Sequence, residues 1–197
     1  VVSLRIPDTT VQKCKMSLFP TELIKKNSRL YTAVFLRHVG AWSIWIILPL
    51  YMQQLGASLF WIGIIYEFNP LTQFFAMRYV GKLSSRIHET TIIKIGLGFA
   101  ALTFISYSFA TSFWHLIPSQ IMLGISWAFM YTGALIHLAS KNIEKATSTG
   151  LLGSTTRLSM IIGPIIGGSI AFMFGFTAPM YFAFATTLIG IFIARKL

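Results

Sequence analysis

Long apolar stretches alternate with short polar connections along most of this chain. Six stretches stand out: Tyr31–Leu55, Leu59–Val80, Ile92–Ala110, His115–Leu138, Gly150–Phe174 and Phe176–Ala194. Each is close to the roughly 20 residues a helix needs to cross a hydrocarbon core of about 30 Å. Strands of a membrane barrel would be shorter and would alternate polar with apolar positions. A backbone in lipid must satisfy its own hydrogen bonds, so these stretches are expected to be helices. The fold class that follows is an all-α membrane protein with six transmembrane helices. Pro49, Pro70 and Pro164 fall inside spans and are expected to kink them, with Asn69–Pro70 as the foremost break. Residues 1–29 are different in kind: polar and basic, with Pro7 and Pro20 and no helical periodicity. They read as a basic cytoplasmic linker ahead of a bundle spanning 30–197. Leu18–Leu30 has a second reading, as a short interfacial helix with Leu23, Ile24 and Leu30 on the wet–dry boundary. The plain linker is preferred.

Charge gives the threading a direction. Of the 16 Lys and Arg residues, all but Arg37 and Arg157 fall in the leading segment, in the second and fourth connections with their flanks, or in the tail. The first, third and fifth connections, near Ala57, Thr111 and Gly175, carry no charge. Cationic loops stay inside, so both termini are expected in the cytoplasm of a cell-membrane protein. Trp61 and Trp114 then fall at the outer interface, with Tyr51 near the same level, where amphipathic rings anchor.

Composition narrows the function classes. The mean hydropathy is +0.70. Charged residues make up 11% of the chain, against about 25% for a soluble domain. The net charge of +11 sits on loop flanks rather than on one face, which argues against nucleic acid and for contact with anionic headgroups of the bilayer. Cys14 is the single cysteine, so no intrachain disulfide and no cysteine zinc site is expected, and no cofactor. The first 28 residues lack the apolar core of a signal peptide. Without an initiator Met, the chain is expected to be a piece of something longer.

Ionisable groups inside spans cost about 2.5–3.5 kcal/mol each on insertion scales and usually face a bundle interior or a wet cavity. Here they are Arg37 in the first span, Glu67 in the second and Arg157 in the fifth, with His38 beside Arg37. Counting 1.5 Å per residue puts the two arginines about 10 Å from the inner boundary and Glu67 near mid-membrane. A functional reading makes these a polar site for a solute or a coupling proton, with Asn69 nearby in sequence. A structural reading pairs Glu67 with Arg37 or Arg157 and lets the arginines snorkel to the headgroups. In the fifth span Ser159, Gly163 and Gly167 recur every four residues and form a face for close helix approach, next to Pro164 and Gly168. No catalytic constellation is visible. There is no HExxH, Ser154 and Ser159 have no base at helical spacing, and Gly96-x-Gly98 lacks the rest of a dinucleotide fingerprint. His88–Glu89 reads as a solvated loop pair.

Two motifs carry a resemblance. The loop "GKLSSR", Gly81 to Arg86, resembles the G-x-L-x-D-R loop of the major facilitator superfamily: Gly81, Leu83 and Arg86 match, and Ser85 stands where Asp is usual. "GPIIGG", Gly163 to Gly168, resembles the G-P-x-x-G-G motif of the superfamily's drug antiporters. With the span count and the basic leading segment, the chain resembles the C-terminal six-helix half of such a transporter over essentially its whole length. The resemblance implies two such bundles around a central cavity. It implies that spans one, two, four and five face the cavity or the other bundle. The expected partners are a small-molecule substrate, the lipid bilayer and a second six-helix bundle. The expected function is secondary transport by alternating access. A drug-type exporter and a non-transporting membrane scaffold are the rival readings.

Overall fold

The computed structural model describes residues 20–197, so Cys14 and most of the expected linker lie outside the described residues. The described chain is all helix and connection. The helices are α1 (Thr21–Lys26), α2 (Ser28–Trp45), α3 (Leu48–Gln54), α4 (Leu59–Leu83), α5 (Glu89–Ser108), α6 (Leu116–Lys141), α7 (Lys145–Phe174) and α8 (Ala178–Ala194), with a 3-10 turn at Phe113–His115 before α6. By length and composition α5, α6 with its 3-10 turn, and α7 can each cross a membrane, and α2 with α3 makes a fourth crossing if the bent pair counts as one. The 17-residue α8 is apolar but short, and α4 carries Glu67, Arg78 and Lys82 along its 25 residues.

Proline acts unevenly. The first span is broken: α2 and α3 meet at 43° across Ile46 and Ile47, with Pro49 in the first turn of α3. Pro49 has no N–H, so the Trp45 carbonyl four residues earlier loses its helical donor. The Tyr66 hydroxyl of α4 donates to that carbonyl instead, at 3.1 Å. The expected break at Asn69–Pro70 does not occur. α4 runs unbroken through Pro70, and α7 does so through Pro164. At Pro70 α6 comes close to α4: Gly124 sits against the Asn69 carbonyl, where a Cβ would lie 2.6 Å away.

The helices pack in a series in which α2 lies between α7 and α8, α8 meets α5, α5 meets α6, and α6 meets α4. α4 and α7 therefore stand at the two ends and flank an open side. The contact of α7 with α2 follows from the small-residue face. Ser159 donates to the Phe35 carbonyl at 3.3 Å, and a Cβ on Gly163 would sit 2.5 Å from the Trp42 Cβ. A Cβ on Gly167 would fall onto the Ser43 backbone. Gly168 meets nothing within 4 Å, so it takes no part in this seam.

Each end of the bundle has its own ties. At one end Trp61 and Trp114 meet edge to face at 4.6 Å, and the Tyr51 hydroxyl shares its one proton between the carbonyls of Tyr107 and Ala110, each 3.1 Å away. The basic connections gather at the other. Lys26 donates to the Lys141 carbonyl, Arg29 to the Lys196 carbonyl at 2.7 Å, and Tyr31 to the Ser148 carbonyl at 3.0 Å. Here Asn27 and Asn142, both buried, exchange side-chain amide bonds of 3.1 and 3.2 Å. Residues 21–26, at the end of the expected linker, are helical, and this segment is fastened near the α6–α7 connection through these contacts. Glu89 is a correction to the expected solvated pair. Its side chain is only 13% exposed, and its carboxylate lies 3.5 Å from His137 and 3.4 Å from His88, so it bridges α5 to the end of α6 rather than standing in solvent.

Candidate functional site

A cavity of about 490 Å3 opens among α2, α4, α6 and α7. Each helix turns one stripe toward it at helical spacing. From α2 come Arg37, Ala41 and Trp45, with His38 and Trp42 alongside. Asn69, Pro70 and Gln73 come from α4, and Leu123, Trp127 and Tyr131 from α6. α7 contributes Gly153, Thr156, Arg157 and Met160, the stripe next to its glycine seam. No lining residue belongs to α5 or α8.

Arg37 is 2% exposed. Its guanidinium lies over the Trp127 ring at 5.6 Å and over the Phe104 ring at 5.8 Å, and it donates to Ser126 Oγ at 3.2 Å. Its Nε has no hydrogen-bond partner among the described residues. Cation–π contact offsets part of the cost of burial, but a guanidinium has five donors to place. His38 lies against Trp127, ring centroids 4.8 Å apart. Its Nδ1 is 2.8 Å from the Val34 carbonyl. A carbonyl only accepts, so Nδ1 carries the proton, and the neutral ring's acceptor nitrogen is Nε2, which has no partner among the described residues. On the neighbouring α7, Arg157 donates to the Met160 sulfur at 3.4 Å, a weak acceptor. Asn69 and Gln73 bond to each other through their side-chain amides.

The sequence-derived candidates divide. Arg37, His38, Asn69 and Arg157 share this cavity. Glu67 does not line it. It lies on the exposed face of α4, beside a shallow apolar hollow formed with Gly63, Ile64, Phe68 and Leu71. The expected ion pair of Glu67 with Arg37 or Arg157 is not formed. Among the described residues the salt bridges are Glu22–Lys25 and the two from Glu89 to histidine. In the loop motif Gly81 and Arg86 are exposed, while Leu83 packs beside Val80, Ile92 and Phe129.

Sequence reasoning missed Gln73, Thr156, Trp42, Trp45, Trp127 and Tyr131. Tryptophan and tyrosine within apolar runs read as filler or as interface anchors. Their shared spacing with Arg37 on α2 (Ala41 and Trp45 at successive turns) is the signal that links them to a charged group.

The architecture is that of a membrane-embedded helical bundle with a cavity of mixed aromatic and polar lining, reached from one open side. The chain belongs to the Major Facilitator Superfamily, whose sequence profile it matches over residues 22–197. It is 29% identical over 155 residues to an uncharacterized MFS-type transporter of Methanocaldococcus jannaschii, covering 78% of this chain and 40% of that protein. It is 29% identical over 166 residues to the multidrug resistance protein MdtG of Proteus mirabilis, covering 81% and 41%. With the quinolone resistance protein NorA of Staphylococcus aureus it shares 27% identity over 163 residues, covering 82% and 42%. The chain thus spans about two-fifths of the length of these curated relatives.

Proposed function

We propose that this chain is one six-span bundle of a secondary transporter that moves a small solute across the cell membrane by alternating access. The observation that carries the reading is the cavity. It sits among apolar helices, yet Arg37, His38, Asn69, Gln73 and Arg157 line it, and its open side lies between α4 and α7. Polar groups inside apolar helices are costly and mark solute or ion paths. A second six-helix bundle would close the open side against the exposed apolar residues Leu71, Phe74 and Phe75 of α4 and Ile161 and Ile165 of α7. Both termini are cytoplasmic in this account, because the charge-free connections then lie outside. Glu67 belongs to the same exposed face of α4 and would meet the second bundle, where a carboxylate serves proton or cation coupling. The names of the relatives from Proteus and Staphylococcus favour an exporter of drug-like solutes, and the tryptophan walls fit that variant.

The test is solute flux in proteoliposomes holding the intact protein, with and without an imposed pH gradient. The account expects accumulation that the gradient drives and that Glu67→Gln uncouples. Folded protein that moves no solute under any gradient would favour the scaffold reading instead.

A further inference from the structure

We infer that the cavity selects small organic anions with a flat aromatic body. The inference deepens the transporter reading and rests on the cavity being its solute site. Among the described residues two guanidinium groups line the cavity, from the neighbouring helices α2 and α7, and no carboxylate does. Glu67, two residues from Asn69 in sequence, borders a different hollow. Arg37 is buried and keeps its full charge at any physiological pH, and among the described residues its guanidinium bonds one hydroxyl and lies over two aromatic rings. Trp127 and Phe104 cover the guanidinium, but neither accepts the hydrogen bonds of its remaining N–H groups, and Nε is left without a partner. A buried charge held this way calls for a counter-charge. Among the described residues Arg157 has only a thioether sulfur to donate to. Carboxylate, sulfonate and phosphate oxygens are the acceptors whose geometry suits guanidinium donors best.

The walls define the rest of the molecule. Trp127 and Tyr131 stack 5.0 Å apart at an interplanar angle of 9°, and Trp42 and Trp45 stand edge to face at 6.2 Å. Flat aromatic surfaces of this kind favour a ring over a flexible chain. The Asn69–Gln73 amide pair offers a polar contact at the far wall for a ring substituent. The volume of about 490 Å3 is of the size that holds a one- or two-ring solute.

The test is binding to the intact protein in phosphatidylcholine nanodiscs, where no anionic headgroup competes. The tryptophans of the cavity report on nitroaromatic quenchers of matched shape: 4-nitrobenzoate, 4-nitrobenzyl alcohol and 4-nitrobenzylammonium. The expected result is saturable quenching by the benzoate at a concentration at least about tenfold below that needed for the ammonium. Arg157→Gln should weaken the benzoate about tenfold and leave the alcohol within about twofold. Arg157 is exposed, so this variant tests the idea even if Arg37→Gln fails to fold. Equal or tighter binding of the ammonium, an unchanged benzoate affinity in Arg157→Gln, or no saturable quenching by any probe would overturn the inference. Flux separates the two readings. Tight, arginine-dependent binding without transport leaves the anion site standing and removes the transporter. Transport confined to cations does the reverse.

Discussion

The Tyr66 hydroxyl donates to the Trp45 carbonyl at 3.1 Å, and that carbonyl is the one Pro49 deprives of its helical N–H. The bond joins α4 to the bend between α2 and α3, and the two rings meet edge to face at 4.7 Å. Tyr66→Phe keeps the ring and removes the donor. A half-buried carbonyl without a partner costs about 1–3 kcal/mol. Thermal unfolding in detergent should show a loss of that size. Pro49→Ala returns an N–H to the same carbonyl, so the double variant should lose less than the sum of the two single losses. Strict additivity would show that the hydroxyl does not answer for the missing helical bond.

The glycine seam on α7 predicts a sharp positional contrast. A Cβ at Gly167 falls onto the Ser43 backbone, which cannot yield as a flexible side chain would. Gly167→Ala should therefore destabilise by about 1–3 kcal/mol or more, the usual cost of overpacking. Gly168→Ala, one residue on, meets open space and should be neutral or slightly favourable. Equal effects at the two positions would show that α7 does not pack on α2 through this face.

Asn27 and Asn142 form a clasp between the start of α2 and the α6–α7 connection. Each also donates to a carbonyl four residues back, Asn27 to Leu23 and Asn142 to Leu138, both at 3.0 Å. Either alanine variant leaves the other amide buried and short of partners, so each should cost about 1–3 kcal/mol. The double variant should cost little more than one, with a coupling of about 1 kcal/mol or more in a double-mutant cycle of unfolding free energies.

Much of this architecture is readable from the chain because lipid imposes one rule on every span. The apolar runs locate all six long elements. Observed boundaries differ from the expected ones mainly where a helix continues past the apolar stretch, as α4 does to Leu83 and α7 does from Lys145. Arg37, His38, Asn69 and Arg157 were found for the same reason, since a polar group in an apolar run stands out. Direction around the helix axis is what a single run does not give. Glu67 is as conspicuous in sequence as Arg37, yet it faces outward while Asn69, two residues on, faces the cavity. At the Ile46–Ile47 bend a tertiary neighbour, Tyr66, takes up the freed carbonyl, and at Pro70 α4 stays helical with Gly124 of α6 close against the Asn69 carbonyl.

Arg37 gives a test of whether charge serves structure or solute. Buried charges can often be replaced by apolar residues of similar volume at no cost, or with a gain of 1–4 kcal/mol. Arg37→Met keeps the stem against Trp127 and Phe104 and removes the guanidinium. Its melting temperature should stay level or rise while solute binding is lost. A large loss of stability in Arg37→Met would make the arginine a structural element of the bundle.

The central claim is a solute cavity that opens alternately to the two sides of the membrane. The most direct measurement is thiol accessibility at Thr156 of α7, which lines the cavity. In the intact protein, with Cys14→Ser as background, Thr156→Cys should react with a membrane-impermeant thiol reagent applied to either face of sealed vesicles. Leu188→Cys, on the exposed apolar face of α8, should react from neither. Reaction of Thr156→Cys from one face only, or from neither, would contradict alternating access.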